Sequence, residues 1–238
     1  MIVGGFMLDC KIIKENYKEI LDDIKKHSKI PEKVRVVAAS KYVDFEGIKA
    51  LAESGIEICG ENRVQALRDK RDALSLENKE NCVTWHFIGT LQKNKIKYII
   101  DYIDLIQSIH EFSLLEELNK RAIKANRIVD VLLEVNISGE ESKHGFTTED
   151  VINLADSIKN LKNIKVKGLM TMAPFTESEE VVRSVFKGLR LAKDRLNEEC
   201  FDGELVELSM GMSNDYKIAL EEGATIIRVG SKLFEIRR

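Results

Sequence analysis

The sequence has few of the features of secreted, membrane-bound or metal-binding proteins. Its 238 residues include only four cysteines, and no two of them form a CxxC pair. We expect reduced thiols of a cytoplasmic protein, not a disulfide framework or a zinc site, at Cys10, Cys59, Cys82 and Cys200. No apolar run is long enough to span a bilayer, and the opening MIVGGFMLDC lacks the basic region of a signal peptide. We therefore expect no membrane partner.

Concentrated charge and chain-breaking residues are also scarce. The formal net charge is −3 with both signs interspersed, so no basic stripe indicates a nucleic-acid partner. Only two prolines and no low-complexity linker occur, which favours one domain over residues 1–238. No GxGxxG motif follows the first apolar run. Its absence counts against a doubly wound sheet, which is the second-ranked fold.

The sequence does contain a regular alternation of short apolar runs and amphipathic segments. An opening helix is predicted over about residues 7–27, so that residues 1–30 form a helical segment packed on the rest of the chain. Eight candidate strands follow, at 34–39, 56–60, 84–89, 104–109, 129–137, 166–172, 205–210 and 225–230. Strands that each precede a helix indicate a parallel sheet covered by helices. The eight units predict an α/β fold, namely a single (β/α)8 TIM barrel with an extra N-terminal helix.

Polar residues end the predicted strands, and in such a barrel these ends meet at one mouth, where active sites lie. The first strand begins as the apolar run VRVVAA and ends on Ser40-Lys41. The last two strands end in LSMGMSND and IRVGSKLF, whose glycines permit close backbone approach and whose serines add hydroxyl donors. Either ending alone fits an ordinary turn or helix cap. Together they predict a phosphate site at Ser209, Gly211, Gly230 and Ser231.

A lysine across the mouth from a phosphate site suggests chemistry on a phosphorylated aldehyde. Desolvation and nearby cations can lower a lysine pKa, so that the neutral amine attacks a carbonyl and forms a Schiff base. Pyridoxal 5'-phosphate (PLP) fits such a site. A class I aldolase substrate also fits, with Glu61 and Glu134 as the candidate acid/base carboxylates. Arg228, in an apolar strand, either forms a buried ion pair with a carboxylate such as Glu134 or faces a ligand atom.

Several motifs, taken in order, resemble the YggS/PROSC family of pyridoxal phosphate homeostasis proteins. They include VAASK, GENRVQAL, WHFIGTLQKNK, LLEVNISGEESKHGF, LSMGMSND and IRVGSKLF, and the match runs from residue 34 to residue 234. The resemblance implies a barrel similar to the N-terminal domain of alanine racemase, which is fold type III. It also implies the PLP-binding residues, namely Lys41 as the Schiff-base lysine, Asn62 beside the cofactor, Ser209, Gly230 and Ser231 at the phosphate, and Arg228 at the pyridine nitrogen.

Two positions stay open within this resemblance. His86 either lines the cofactor ring or fills the barrel interior. Glu235 stands where the family usually has a glycine, after IRVGSKLF. A change at that edge of the site concerns the geometry of the local loop more than the binding of the cofactor.

The resemblance implies a role in intracellular PLP homeostasis and supply, with no established catalytic activity. Its partners would be PLP and, as potential recipients, PLP-dependent apoenzymes, and the protein would be a monomer or weak dimer. The alternative is a PLP-dependent amino-acid racemase of the alanine racemase type, which needs a second base from another domain and a partner subunit. We find no segment beyond the barrel for that domain. An arginine at the ring nitrogen also weakens the ring as an electron sink, which favours a carrier.

Overall fold

Eight parallel strands close into a barrel in the computed structural model, which describes residues 2–3, 6–7, 10–140 and 144–235. The strands are β1 (Arg35–Ala39), β2 (Ile58–Glu61), β3 (Thr84–Phe87), β4 (Leu105–Ile109), β5 (Val129–Glu134), β6 (Ile164–Met170), β7 (Glu207–Ser209) and β8 (Ile226–Val229). Each strand pairs with the next in the chain, and β8 pairs with β1, where Arg228 is opposite Val37. Each of these eight strands overlaps a predicted one. The predicted barrel is therefore confirmed.

One helix precedes the barrel, and the helices that follow the strands cover its outside. The helices are α1 (Cys10–His27), α2 (Phe45–Glu53), α3 (Val64–Ser75), α4 (Phe112–Lys124), α5 (Thr148–Lys159), α6 (Glu179–Leu196), α7 (Tyr216–Glu221) and α8 (Ser231–Phe234). A 3-10 helix, Lys93–Tyr98, follows β3 instead of an α-helix. Local signals explain several starts, because Asp44 caps α2 and Thr147 forms a capping box with Asp150 at α5. None of the described helices has the length and apolar character to cross a membrane.

The N-terminal helix packs against the last two βα units. The sequence predicted a start near residue 7, but Met7 lies in the short strand Phe6–Met7, which pairs antiparallel with Ile2–Val3, and residues 8 and 9 are outside the described ones. The buried Asn16 amide of α1 donates to the carbonyl oxygens of Leu233 (3.2 Å) and Glu235 (2.9 Å). Because this contact uses the backbone of Glu235, it does not depend on the side chain at that position.

The barrel interior has an apolar layer and, nearer the C-terminal ends of the strands, a polar layer. A separate buried cluster fills the apolar layer and consists of Val37, Ile58, Leu105, Leu132, Met170 and Ile226. Side chains alternate along a strand, so residues two positions further along face the same interior. Gln107 in β4 and Arg228 in β8 occupy such positions, and both are buried. The fold therefore brings polar side chains to the C-terminal mouth of the barrel.

Candidate functional site

A pocket of about 430 Å³ opens at the C-terminal ends of β1 and β8. Its wall is formed by the turn after β1, the connection between β6 and α6, and the segments that follow β7 and β8. The polar lining residues include Lys41, Ser213, Asp215, Arg228, Gly230 and Ser231. Four predicted residues from two distant parts of the sequence thus share one cavity, namely Lys41 after the first strand and Arg228, Gly230 and Ser231 in the motif at the last strand.

Lys41 lies in a 3-10 turn, Ser40–Tyr42, that directly follows β1. The preceding Ser40 is fully buried, whereas the Lys41 side chain is exposed. The Lys41 ammonium lies 4.9 Å from the centroid of the Tyr42 ring, within the range of a cation–π contact. The Lys41 amine therefore lies at the pocket wall on a long, exposed side chain, next to the buried Ser40.

Arg228 brings a buried positive charge under the pocket. Its Nη1 donates to Ser209 Oγ (2.6 Å), and its Nη2 donates to the carbonyl oxygen of Thr171 (3.0 Å). Burial lowers the pKa of Arg228 to about 10, an effect that the nearby charges of Asp215 and Glu134 oppose. The guanidinium remains protonated at neutral pH. Because its hydrogen bonds go to neutral oxygens, its charge is left for a ligand in the pocket, which favours the second of the two hypotheses for this residue.

A chain of hydrogen bonds continues from Arg228 across the barrel interior. Ser209 Oγ accepts from Arg228 and donates to Gln107 Oε1 (2.6 Å), and Gln107 Nε2 lies 2.9 Å from His86 Nδ1. Burial lowers the pKa of His86 to about 3, with a smaller contribution from Arg35, so the imidazole is neutral. Its Nδ1 can therefore accept the hydrogen bond from Gln107. His86 fills the barrel interior, which was the second of its two predicted placements.

Ser209 and Gly211 differ from the positions expected of phosphate contacts. Ser209 is fully buried under Arg228, and its hydroxyl group is already bonded on both sides. Gly211 has a φ of +90°, and a Cβ there would lie 2.6 Å from the Cβ of Ala219 and 2.9 Å from Tyr216 Cα. The close approach that Gly211 permits is therefore to α7. Neither residue is among those that line the pocket.

The segment after β8 supplies converging backbone donors. Ser213 Oγ accepts from the N–H groups of Gly230 (3.1 Å) and Lys232 (3.4 Å). A Cβ added to Gly230 would lie 3.3 Å from both Ala39 Cβ and Tyr42 Cε2, so glycine keeps this corner of the pocket open. Both N–H groups are therefore paired with the Ser213 hydroxyl, which lines this corner of the pocket. Ser213 belongs to this corner, although the sequence analysis did not select it.

The remaining candidates lie away from this pocket. Asn62 is exposed after β2 and is not among the described lining residues. Glu61 is fully buried and pairs with Lys70, while burial raises the pKa of Glu134, which lines a second pocket of about 210 Å³. The two carboxylates therefore do not meet at the mouth as an acid/base pair. That arrangement removes the basis for the aldolase hypothesis.

Comparisons with known proteins agree with the motifs. The sequence matches the family described as Alanine racemase, N-terminal domain, over residues 8–237. The pyridoxal phosphate homeostasis protein of Aquifex aeolicus is 44% identical over 204 residues, which cover 86% of this chain and 87% of that protein. The protein of the same name from Vibrio alginolyticus is 32% identical over 229 residues, which cover 94% of this chain and 97% of that protein. The chain belongs to the pyridoxal phosphate homeostasis protein family.

Solved structures also resemble this member of the pyridoxal phosphate homeostasis protein family. PipY of Synechococcus elongatus PCC7942, with PLP bound, is 30% identical, with a TM-score of 0.83 over 94% of this chain and 100% of that one. Alanine racemase of Clostridium difficile 630 is only 14% identical, with a TM-score of 0.72 over 94% of this chain and 57% of that one. The second likeness shows a shared fold alone.

Three residues of this family member's site were missed by the sequence analysis, namely Gln107, Thr171 and Ser213. A signal existed for two of them. Gln107 interrupts the apolar run LIQSI, and a polar residue inside such a run needs a buried partner. Ser213 is the second serine of LSMGMSND, but Ser209 was preferred because it ends the strand. Thr171 contributes only its backbone oxygen to Arg228, for which side-chain identity carries no signal.

Proposed function

We propose that this protein binds PLP through a Schiff base with Lys41 and acts in intracellular PLP homeostasis and supply. The observation that carries the proposal is the convergence of Lys41, Arg228, Gly230 and Ser231 on one pocket. Support also comes from the relatives named pyridoxal phosphate homeostasis proteins and from PipY, whose structure contains PLP. The cofactor supplies a reactive aldehyde and a ring that can accept electrons.

The residues present fit this group in size and charge. A cavity of about 430 Å³ falls within the range of small-molecule sites. The hydroxyls of Ser213 and Ser231, beside the backbone of Gly230, form the phosphate end that we propose. Arg228 would face the pyridine nitrogen. We assign Ser209 an indirect role, which is to hold the Arg228 guanidinium in place from below.

A carrier role is favoured over racemisation by the same arginine. A guanidinium keeps its proton at neutral pH, so it would leave the ring nitrogen unprotonated and stabilise a substrate carbanion poorly. The likeness to alanine racemase is one of fold and carries no activity. We therefore propose a protein without catalytic turnover, a monomer or weak dimer in the cytoplasm, that supplies PLP to PLP-dependent apoenzymes. The four free cysteines agree with that compartment.

Borohydride reduction tests the proposed attachment. The purified protein is expected to absorb visible light after addition of PLP, and reduction should fix the cofactor to Lys41, as located by mass spectrometry of the digested protein. Lys41→Ala should lose both the absorption band and the label. Lys120→Ala, a change at an exposed lysine of α4, is the matched control and should retain both. Label on another lysine of the wild-type protein would contradict the proposal.

A further inference from the structure

A buried ion pair lies behind the turn that carries Lys41. Glu61 ends β2 and is fully buried, and Lys70 lies in α3 with only 10% of its side chain exposed. The Lys70 ammonium contacts Glu61 Oε1 directly. The site described above uses neither group for contact with a ligand.

Both members of the pair also contact Ser40. Lys70 Nζ donates to the Ser40 carbonyl oxygen (2.8 Å), and Ser40 Oγ lies within donating distance of Glu61 Oε1 (3.0 Å) and of the Gly60 carbonyl oxygen (3.1 Å). The 3-10 turn that begins at Ser40 has no side-chain cap from its preceding residue, Ala39. The turn is therefore held by groups from β2 and α3.

The physical chemistry of buried ion pairs indicates what this pair contributes. Removing two charges from water costs about as much as their attraction returns, so such pairs add little stability over apolar residues of similar size. They do impose geometry, because each hydrogen bond requires a defined distance and direction. Here that geometry is imposed on Ser40, the residue that precedes Lys41 and determines where the exposed lysine side chain begins.

We infer that Glu61 and Lys70 are a positioning pair that fixes the Ser40–Tyr42 turn and thereby directs the Lys41 amine toward a ligand aldehyde. The inference rests on the proposed function, since it concerns the lysine to which PLP would attach. It assigns no ligand contact to either residue. Loss of the pair should impair the bond to the aldehyde and spare the noncovalent contacts with the phosphate and ring.

The double variant E61Q/K70M tests the inference, because it removes both charges at nearly constant volume and leaves no buried charge without a partner. We expect it to fold and to bind PLP roughly tenfold or more weakly, as expected when an ordered charged contact is lost. Binding of 4'-deoxypyridoxine 5'-phosphate, which keeps the ring and phosphate but has no aldehyde, should change little. E117Q/R121M, which removes an ion pair within α4, is the matched control and should match the wild type in both assays.

A Lys41→Ala background separates positioning from general damage to the pocket. In that background, E61Q/K70M should cause no further loss of PLP affinity, because the amine that the pair positions is already absent. An equal loss of both ligands in E61Q/K70M, or wild-type PLP affinity, would overturn the inference. If E61Q/K70M does not fold, Ser40→Ala is tested with the same two ligands. We expect it to lower the affinity for PLP by a smaller factor and to leave the affinity for 4'-deoxypyridoxine 5'-phosphate unchanged. Wild-type protein without label at Lys41 would instead overturn the proposed function.

Discussion

Ser209 ends β7 and Ser231 begins α8, and the two serines lie in different surroundings. Ser231 is exposed at the pocket, so its hydroxyl can donate to a phosphate. Ser231→Ala should weaken PLP binding by about 10- to 100-fold, from the loss of about 1.5–3 kcal/mol in a hydrogen bond to a charged group. The same substitution should change the free energy of unfolding of the cofactor-free protein only slightly. Fluorescence titration with PLP and urea unfolding would measure the two quantities.

Ser209→Ala should give a different pattern. It removes the acceptor of Arg228 Nη1 and the donor to Gln107, both in the buried interior. Leaving these groups without partners should cost about 1–3 kcal/mol of unfolding free energy in the protein without cofactor. Ser184→Ala, at an exposed serine of α6, is the control for both substitutions. Unchanged stability in Ser209→Ala would contradict the role of this serine as a support of Arg228.

At the scale of elements, α1 stabilises the end of the barrel that forms the proposed phosphate corner. The Asn16 amide bonds two backbone carbonyls at the end of α8, whose first residue is Ser231. Asn16→Ala should therefore lower the unfolding free energy by about 1–3 kcal/mol and also weaken PLP binding, since α8 would be less firmly held. Thermal unfolding and PLP titration measure the two effects.

The neighbouring residue supplies the control for this helix. Glu15 is exposed on α1, and Glu15→Ala should leave both quantities near the wild-type values. A drop in stability for Asn16→Ala with unchanged PLP affinity would mean that α1 contributes to the fold without influencing the phosphate corner. PLP affinity in Asn16→Ala therefore shows whether α1 only stabilises the fold or also influences PLP binding.

At the scale of the whole molecule, the prediction concerns turnover. A carrier should bind PLP but racemise alanine, serine or glutamate hardly faster than the free cofactor does. The reason is the Arg228 guanidinium that we place at the ring nitrogen, because it keeps its own proton and leaves that nitrogen unprotonated, which makes the ring a weaker electron sink. Chiral analysis after long incubation at high protein concentration measures the rate. Clear racemisation that disappears in Lys41→Ala would make the protein a racemase, while a slow background that persists in that variant would come from free PLP.

Local sequence patterns were sufficient to predict the barrel and four of the residues that line the pocket. Each strand is a short apolar run, and eight runs with intervening helices admit few architectures, so the order of strands followed from the chain order. Lys41, Arg228, Gly230 and Ser231 were predicted together because strand ends in such a barrel share one mouth. For these residues, position along the chain and position in space are closely linked.

Only the tertiary structure decided which polar side chains face the pocket and which form hydrogen bonds with other buried groups of the barrel. Ser209 and Ser213 belong to one motif, but strand pairing turns Ser209 toward Gln107, which is 102 positions away, and leaves Ser213 at the mouth. Glu61 and Lys70 meet because β2 and α3 pack side by side, and the local sequence does not reveal that contact. Such contacts depend on the register and closure of the barrel. These are global properties, set by the simultaneous packing of all eight strands.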